Sequence, residues 1–116
     1  MKKRGVVMNK IYLSLNENIL GYLREGENGY VFHADKEGIE NATKISPIKM
    51  KFFTLNKSGM KEYSQIPNHY IQYLDNWDRE DIMEKTGIDE SDSDFVKLYK
   101  IAGTNLQPIN FLITQG

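Results

Sequence analysis

The chain has 116 residues, of which 40% are hydrophobic and 27% are charged, and its net charge is −1. These values are typical of a soluble globular domain, so we expect one domain over residues 1–116, with residues 1–8 as a flexible N-terminal extension. The lack of cysteine excludes a disulfide framework and a thiol nucleophile. No apolar run reaches the roughly 20 residues of a membrane-spanning helix, and we expect a cytoplasmic protein.

Three strands are predicted near the N-terminus. Apolar and polar residues alternate over residues 10–15, and aromatic or β-branched residues are enriched over 19–24 and 29–34, as in half-buried strands. Turn-forming residues separate these segments at 16–18 and 25–28. The pattern predicts a three-stranded antiparallel meander.

The middle of the chain has weaker patterns. Residues 35–44 are polar and are expected to form a loop, whereas residues 44–55 are apolar enough for a fourth strand. Pro47 would confine that strand to a sheet edge or a bulge, because proline cannot donate a ladder hydrogen bond. We expect residues 56–69 to be irregular, and residues 70–74 form a short apolar piece of undetermined type.

A first short helix is predicted over about residues 76–86. Asp75 or Asn76 would be its N-cap, since both side chains can accept hydrogen bonds from the first turn. Acidic residues follow in that turn, where the helix dipole favours them. Gly87 is expected to end the helix.

A second helix and a final strand are predicted after it. Ser91 and Asp94 have the spacing of a capping box, and Gly103 would end the helix. One apolar stripe at helical spacing follows the cap, formed by Phe95, Leu98, Tyr99 and Ala102. Residues 106–114 are predicted to be a strand whose Ile109, Phe111 and Ile113 share one face. Together the elements predict an α+β fold, in which two short helices pack on an antiparallel sheet of the N-terminal meander plus the C-terminal strand.

Charge is distributed unevenly along the chain. Residues 1–62 carry a net charge of +4, whereas residues 75–94, here called the acidic segment, carry nine acids against Arg79 and Lys85 and a net charge of −7. Such a segment is either the solvated face of a helix or a docking surface for a basic partner.

The only tryptophan, Trp77, lies in the acidic segment. If a helix begins at residue 76, its core-facing side is defined by Ile82 and Met83, and Trp77 points the other way, between Asp81 and Glu84. Trp77 would then be an interface anchor surrounded by acids. The predicted partner-binding residues are Trp77, Asp75, Asn76, Asp78, Asp81 and Glu84.

An alternative places Trp77 at or before the N-cap, where the helical spacing does not apply. Because tryptophan is highly buried on average, its side chain would then fold back against Tyr73 and Leu74.

No catalytic, metal-binding or cofactor-binding set is evident in the sequence. The two histidines, His33 and His69, lack a second ligand at metal spacing, and there is no glycine-rich phosphate loop. Lysines and aromatic residues are weakly interleaved over residues 49–57, a pattern of nucleic-acid binding but equally of a protected edge strand. We therefore expect a binding protein and not an enzyme, with no metal site and no cofactor.

Two stretches resemble the N-terminal subdomain of HipA-type toxin kinases. Residues 9–35, NKIYLSLNENILGYLREGENGYVFHAD, have its order of a strand, a short turn, a strand with a spaced Gly-Leu pair, then GYVF and an acid. Residues 68–105 have its apolar stretch, its Trp-bearing helix start and its final glycine, whereas residues 36–67 match poorly. The second match is carried by Gly87, Ile88, Asp89, Phe95, Leu98 and Gly103. Many relatives have a Pro-Glu-Gly-type turn where this sequence has Asp75 and Asn76.

The motifs of the kinase itself are missing, since the sequence has no phosphate loop and no catalytic Asp-plus-Asn set. The sequence is therefore similar to the tripartite variant of the system, in which the subdomain is a separate, HipS-like small antitoxin. The resemblance implies that the chain binds and neutralises a HipT-like Ser/Thr kinase, with a HipB-like DNA-binding protein as the third member of the complex. In that family a tryptophan is presented to the kinase active site, and the matching residue here is Trp77.

Two other functions fit the same residues. The chain would be an accessory subunit that promotes formation of a repressor–DNA complex, with residues 44–61 contacting DNA. Or it would be the N-terminal structural subdomain of a longer HipA-like kinase.

Overall fold

The computed structural model describes residues 9–104 and 111–116, so the expected extension over residues 1–8 lies outside the described residues. Within them, one antiparallel sheet has the strand order β4-β3-β2-β1-β5. The strands are β1 (Ile11–Leu15), β2 (Asn18–Gly26), β3 (Gly29–Ala34), β4 (Met60–Tyr63) and β5 (Leu112–Gln115). The helices are α1 (Lys36–Ile45), α2 (Pro47–Met50), α3 (Asn68–Ile71), α4 (Glu80–Thr86) and α5 (Asp94–Ala102), with a 3₁₀ turn over Gln72–Leu74. The predicted α+β fold is confirmed.

The N-terminal meander forms as the alternating pattern predicts. β1 pairs with β2, and β2 pairs with β3, both through short turns. In the β1–β2 turn, Asn16 and Glu17 both have positive φ, 51° and 69°, the conformation that matches the twist of a two-residue hairpin. Along β1, Ile11, Leu13 and Leu15 are buried. The strand therefore turns its odd-numbered side chains to the core.

The predicted loop over residues 35–44 is wrong, because this stretch is helix α1. Asp35 is its N-cap, and the carboxylate accepts a hydrogen bond of 2.9 Å from the backbone N–H of Gly38. Only Ile39 and Ala42 of this helix are buried. One narrow contact line on the sheet is thus enough to hold a helix whose remaining surface is mostly polar, with Ile45 exposed at its end.

The predicted strand over residues 44–55 is also wrong. Pro47 is the first residue of helix α2, a position where the missing N–H costs nothing and the fixed φ favours the helix. The fourth strand is β4 instead, within the stretch over residues 56–69 that was expected to be irregular. It pairs with β3 as an edge strand, and the first three of its residues are exposed. The apolar piece over residues 70–74 forms the end of α3 and the 3₁₀ turn.

Helix α4 begins at Glu80, four residues later than predicted, and its N-cap is Arg79 and not Asp75 or Asn76. Asn76 has a left-handed φ of 65°, which a helix cannot contain. Gly87 ends α4 with a left-handed φ of 75°, as predicted.

Helix α5 begins at Asp94, and its N-cap is Ser93, whose hydroxyl accepts from the N–H of Val96 at 3.2 Å. The capping box predicted for Ser91 is therefore wrong by two residues. The predicted stripe is largely right, since Phe95, Leu98 and Ala102 are buried and Tyr99 is half-buried. Gly103 ends the helix as predicted.

The core lies between one face of the sheet and the helices. In the C-terminal part, Phe111 and Ile113 are buried as the strand pattern predicted, whereas Ile109 lies outside the described residues. Tyr70 of α3 is fully buried, and its hydroxyl donates a 3.0 Å hydrogen bond to the carbonyl oxygen of Ile11. This bond joins the helical layer to the central part of the sheet.

Candidate partner-binding site

Trp77 lies in a turn between the 3₁₀ turn and α4; residues 75–79 are here called the Trp77 turn. The backbone N–H of Trp77 donates to the carbonyl of Leu74, and that of Arg79 donates to the carbonyl of Asn76, both at 3.1 Å. The left-handed conformation of Asn76 reverses the chain between these two bonds. Asparagine tolerates that conformation better than most residues, so the local sequence supports a defined turn.

The Trp77 side chain is half-buried and packs against the core. The ammonium nitrogen Nζ of Lys97 lies 3.7 Å from the centre of its ring, and Lys97 is only 7% exposed. A cation held over an indole face away from water contributes on the order of 2 kcal/mol. The ring is therefore fixed from one side while part of it stays in contact with solvent.

This placement corrects the helical interpretation of Trp77. The ring does not project from the acidic face of a helix over residues 76–86, because α4 starts only at Glu80. The alternative, in which Trp77 precedes the N-cap and packs back on the core, agrees with the structure.

The other predicted partner-binding residues divide into two groups, and all of them are exposed. Asp75, Asn76 and Asp78 share the Trp77 turn. Asp81 and Glu84 lie on α4, so the turn does not contain them. Asp81 pairs with Arg79 at 2.9 Å, but both side chains are exposed, and such a pair contributes little to stability.

Lys97 is the residue of this site that the sequence pattern missed. It lies beside Leu98 and one helical turn before Ile101, and all three are buried. A lysine on the apolar face of a helix was therefore the available signal. Its partner could not be predicted, since Trp77 is far away in the sequence.

The loop between α4 and α5 holds two of its acids, Asp89 and Asp92, by hydrogen bonds. Asp92 accepts from the backbone N–H of Asp89 and from the ammonium of Lys100, at 2.9 and 2.7 Å. Both hydrogen bonds lower the pKa of Asp92, and the bond from the Asp89 backbone has the larger effect. Hydrogen bonds from Ser91 lower the pKa of Asp89, so this end of the acidic segment stays negative at neutral pH.

A second feature of the surface is a groove of about 450 Å³ between α2 and α3, whose lining includes Lys49, Phe52, His69 and Gln72. His69 is buried at its base, and its Nε2 accepts a 3.0 Å hydrogen bond from the backbone N–H of Thr54. An acceptor nitrogen must be unprotonated. Burial lowers the pKa of His69 below its ordinary value, which keeps the ring neutral at pH 7.

Acidification should therefore destabilise the fold. The unfolded chain takes up the His69 proton at the ordinary pKa of 6.5, and the folded chain only at a lower pH. The stabilisation is complete above that ordinary value and is lost as the pH falls through the lowered pKa. Denaturant unfolding of wild type and His69→Gln between about pH 7 and about pH 5 measures this contribution.

The free energy of unfolding of the wild type should fall more steeply with decreasing pH than that of His69→Gln. Burial also lowers the pKa of His33. The variant His33→Gln therefore measures how much of the pH dependence of stability comes from His33. Identical slopes for wild type and His69→Gln would contradict the role of His69.

None of the helices in the described part of the chain has the length and apolar character needed to cross a bilayer. Across residues 9–104 and 111–116, no group of three or more histidine, aspartate or glutamate side chains could hold a metal ion. Comparison of the chain with family models, curated proteins and solved structures finds no match. The resemblance to the HipA-type subdomain therefore stays a prediction from the sequence.

Proposed function

We propose that this chain is a cytoplasmic antitoxin-type binding protein that neutralises a HipT-like Ser/Thr kinase by docking the Trp77 turn at the kinase active site. The observation that carries the proposal is the fixation of a half-exposed tryptophan by Lys97 at 3.7 Å, with exposed acids on both sides of it in the turn.

Fixation of the ring supports an anchoring role. Association costs free energy for each side chain that must be ordered, about 0.5–1.5 kcal/mol for a flexible one. Trp77 has already been ordered by its turn, by the core and by Lys97. Rigid aromatic anchors of this kind are enriched among the residues that dominate interfaces.

Charge supports a kinase cleft as the target. Such a cleft holds a lysine and Mg²⁺ around the nucleotide phosphates and attracts negative charge. Asp75 and Asp78 belong to the turn itself, and the acidic segment carries a net charge of −7. These charges would steer the turn towards the cleft and away from acidic surfaces.

The test is co-expression of the chain with the kinase, together with binding measured on the purified proteins. Trp77→Ala should abolish protection and weaken binding by about 30-fold or more, as for an interface anchor. Because Trp77→Ala also removes the aromatic partner of Lys97, a second variant is needed whose fold is not in question. Asp78→Lys reverses an exposed charge in the same turn and should weaken binding about tenfold.

Glu27→Lys is the matched control, since Glu27 is an equally exposed acid in the β2–β3 turn. It should bind and protect like the wild type. A folded Trp77→Ala variant that protects fully, or an Asp78→Lys variant that binds no worse than Glu27→Lys, would contradict the proposal.

A further inference from the structure

The surface around α2 exposes three large apolar side chains within eight residues. Ile45, Ile48 and Phe52 are 64%, 72% and 69% exposed. The opposite side of the same stretch already supplies the core with Met50 and Phe53, so the three exposed side chains have no role in the fold. Clustered exposed apolar residues mark an interaction surface more often than scattered ones do.

This surface is positively charged, and no ion pair among the described residues balances its lysines. Residues 44–61 contain five lysines and no acid, and all five lysines are exposed. In the described part of the chain the ion pairs are Arg79–Asp81 and Lys100–Asp92, and neither involves these lysines. The basic-apolar surface, defined as Lys44, Ile45, Ile48, Lys49, Lys51 and Phe52, therefore suits an acidic partner and repels a copy of itself.

The acidic segment offers the complementary chemistry on the same chain. Its exposed acids include Asp78, Asp81 and Glu84, and its described ion pairs use Arg79 and Lys100, not the lysines of residues 44–61. Half-buried Ile82 and Met83 add apolar surface on α4. Each chain thus carries a basic-apolar surface and an acidic surface of complementary charge. Among the described residues, no ion pair links the two surfaces within one chain.

The two surfaces lie side by side. Lys49 and Phe52 line the same groove as Gln72, and Asp75, the first acid of the acidic segment, lies three residues after Gln72 and donates its N–H to the Gln72 carbonyl at 3.4 Å. If a two-fold axis runs between the two surfaces, the basic-apolar surface of one copy meets the acidic segment of the second copy, and the reverse contact forms at the same time. Such an arrangement is closed and makes every contact twice.

We propose that two copies of this chain form a two-fold dimer, in which the basic-apolar surface of each copy binds the acidic segment of the other. The dimer buries the three exposed apolar side chains and places the lysines of each basic-apolar surface against acids of the other copy. If the Trp77 turn also docks on a kinase, as the proposed function states, the kinase competes with the second copy for it. The dimer itself does not depend on that function.

Light scattering of the isolated chain at low and high salt tests the dimer. At low salt the mass should be twice the 13.5 kDa of one chain, and high salt should raise the dissociation constant about tenfold or more, because exposed charges are screened. Lys49→Glu with Lys51→Glu, and separately Asp78→Lys with Asp81→Lys, should each give monomers. All four positions are exposed, so the fold should persist, and circular dichroism checks it.

Mixing the two double variants should restore the dimer, since the lysines introduced in one copy then face the glutamates introduced in the other, while the second contact keeps its native charges. Glu27→Lys, outside both surfaces, should dimerise like the wild type. A chain that stays monomeric at every salt concentration, or double variants that fail to recover on mixing, would overturn the proposal. Salt-sensitive binding of DNA or of anionic vesicles by a monomeric wild type would assign the basic-apolar surface to those ligands instead.

Discussion

Tyr70→Ala should lower the free energy of unfolding by about 4 kcal/mol, the upper part of the range for large-to-small core substitutions. Tyr70 is fully buried, and its ring packs edge-on against Phe32 at a centroid distance of 6.4 Å. Removal of the ring leaves a cavity at the junction of α3 with the sheet. It also leaves the carbonyl oxygen of Ile11 without the hydroxyl that donates to it at 3.0 Å.

Tyr70→Phe separates these two contributions. The ring stays and only the hydrogen bond is lost, which should cost about 1 kcal/mol, the net contribution of a typical intramolecular hydrogen bond. Tyr22→Phe is the matched control, since Tyr22 is a half-buried tyrosine of β2 outside the core; its effect should be within about 0.5 kcal/mol. Denaturant unfolding measures all three, and a Tyr70→Ala variant as stable as Tyr22→Phe would contradict the packing described here.

Gly38→Ala should destabilise the protein by about 2–3 kcal/mol, although alanine is favoured over glycine inside a helix by about 1 kcal/mol. A Cβ atom at this position would lie 1.7 Å from the carbonyl oxygen of Ile19 and 2.8 Å from its carbonyl carbon. Both are backbone atoms of β2 and cannot rotate away. Accommodation of the methyl group therefore requires α1 to move off the sheet.

Glu40→Ala in the same helix is the control, because Glu40 is exposed and its replacement should change the stability by less than about 0.5 kcal/mol. Thermal unfolding of the two variants side by side makes the comparison. Equal melting temperatures for Gly38→Ala and wild type would mean that α1 does not contact β2 as closely as described.

Gly38 also explains why helix α1 was missed in the sequence. A glycine in a polar stretch lowers helix propensity, yet here the glycine is what allows the helix to approach the backbone of β2. The N-cap signal of Asp35 was present in the sequence, but only Ile39 and Ala42 reach the core, too few for a clear helical period. Helix α1 is therefore stabilised by its close packing on β2, a tertiary contact that local sequence patterns do not reveal.

The strands of the meander were predictable because their information is local. Alternation fixes the buried face of β1, and two-residue turns fix its pairing with β2. Pro47 shows the opposite case. One proline is compatible with an edge strand or with the first residue of a helix. The structure has the helix, and Met50 at its end and Phe53 shortly after it are both buried.

The sequence identifies the segment that contains the candidate site, but it does not predict how the side chains are arranged there. The charge count and the single tryptophan select the segment that is proposed as the site. The orientation of the ring depends on the left-handed Asn76 and on Lys97, neither of which helical spacing can reveal.

The contact between Trp77 and Lys97 also provides a spectroscopic reporter. Because the chain has a single tryptophan, fluorescence excited at wavelengths that tyrosine does not absorb comes from this turn alone, whereas far-ultraviolet circular dichroism reports on the sheet and the helices together. Coincident unfolding curves from the two signals would indicate that the turn melts with the whole fold. An earlier fluorescence transition would identify the turn and α5 as a unit that opens separately, and binding of a partner at the turn can be followed without any label.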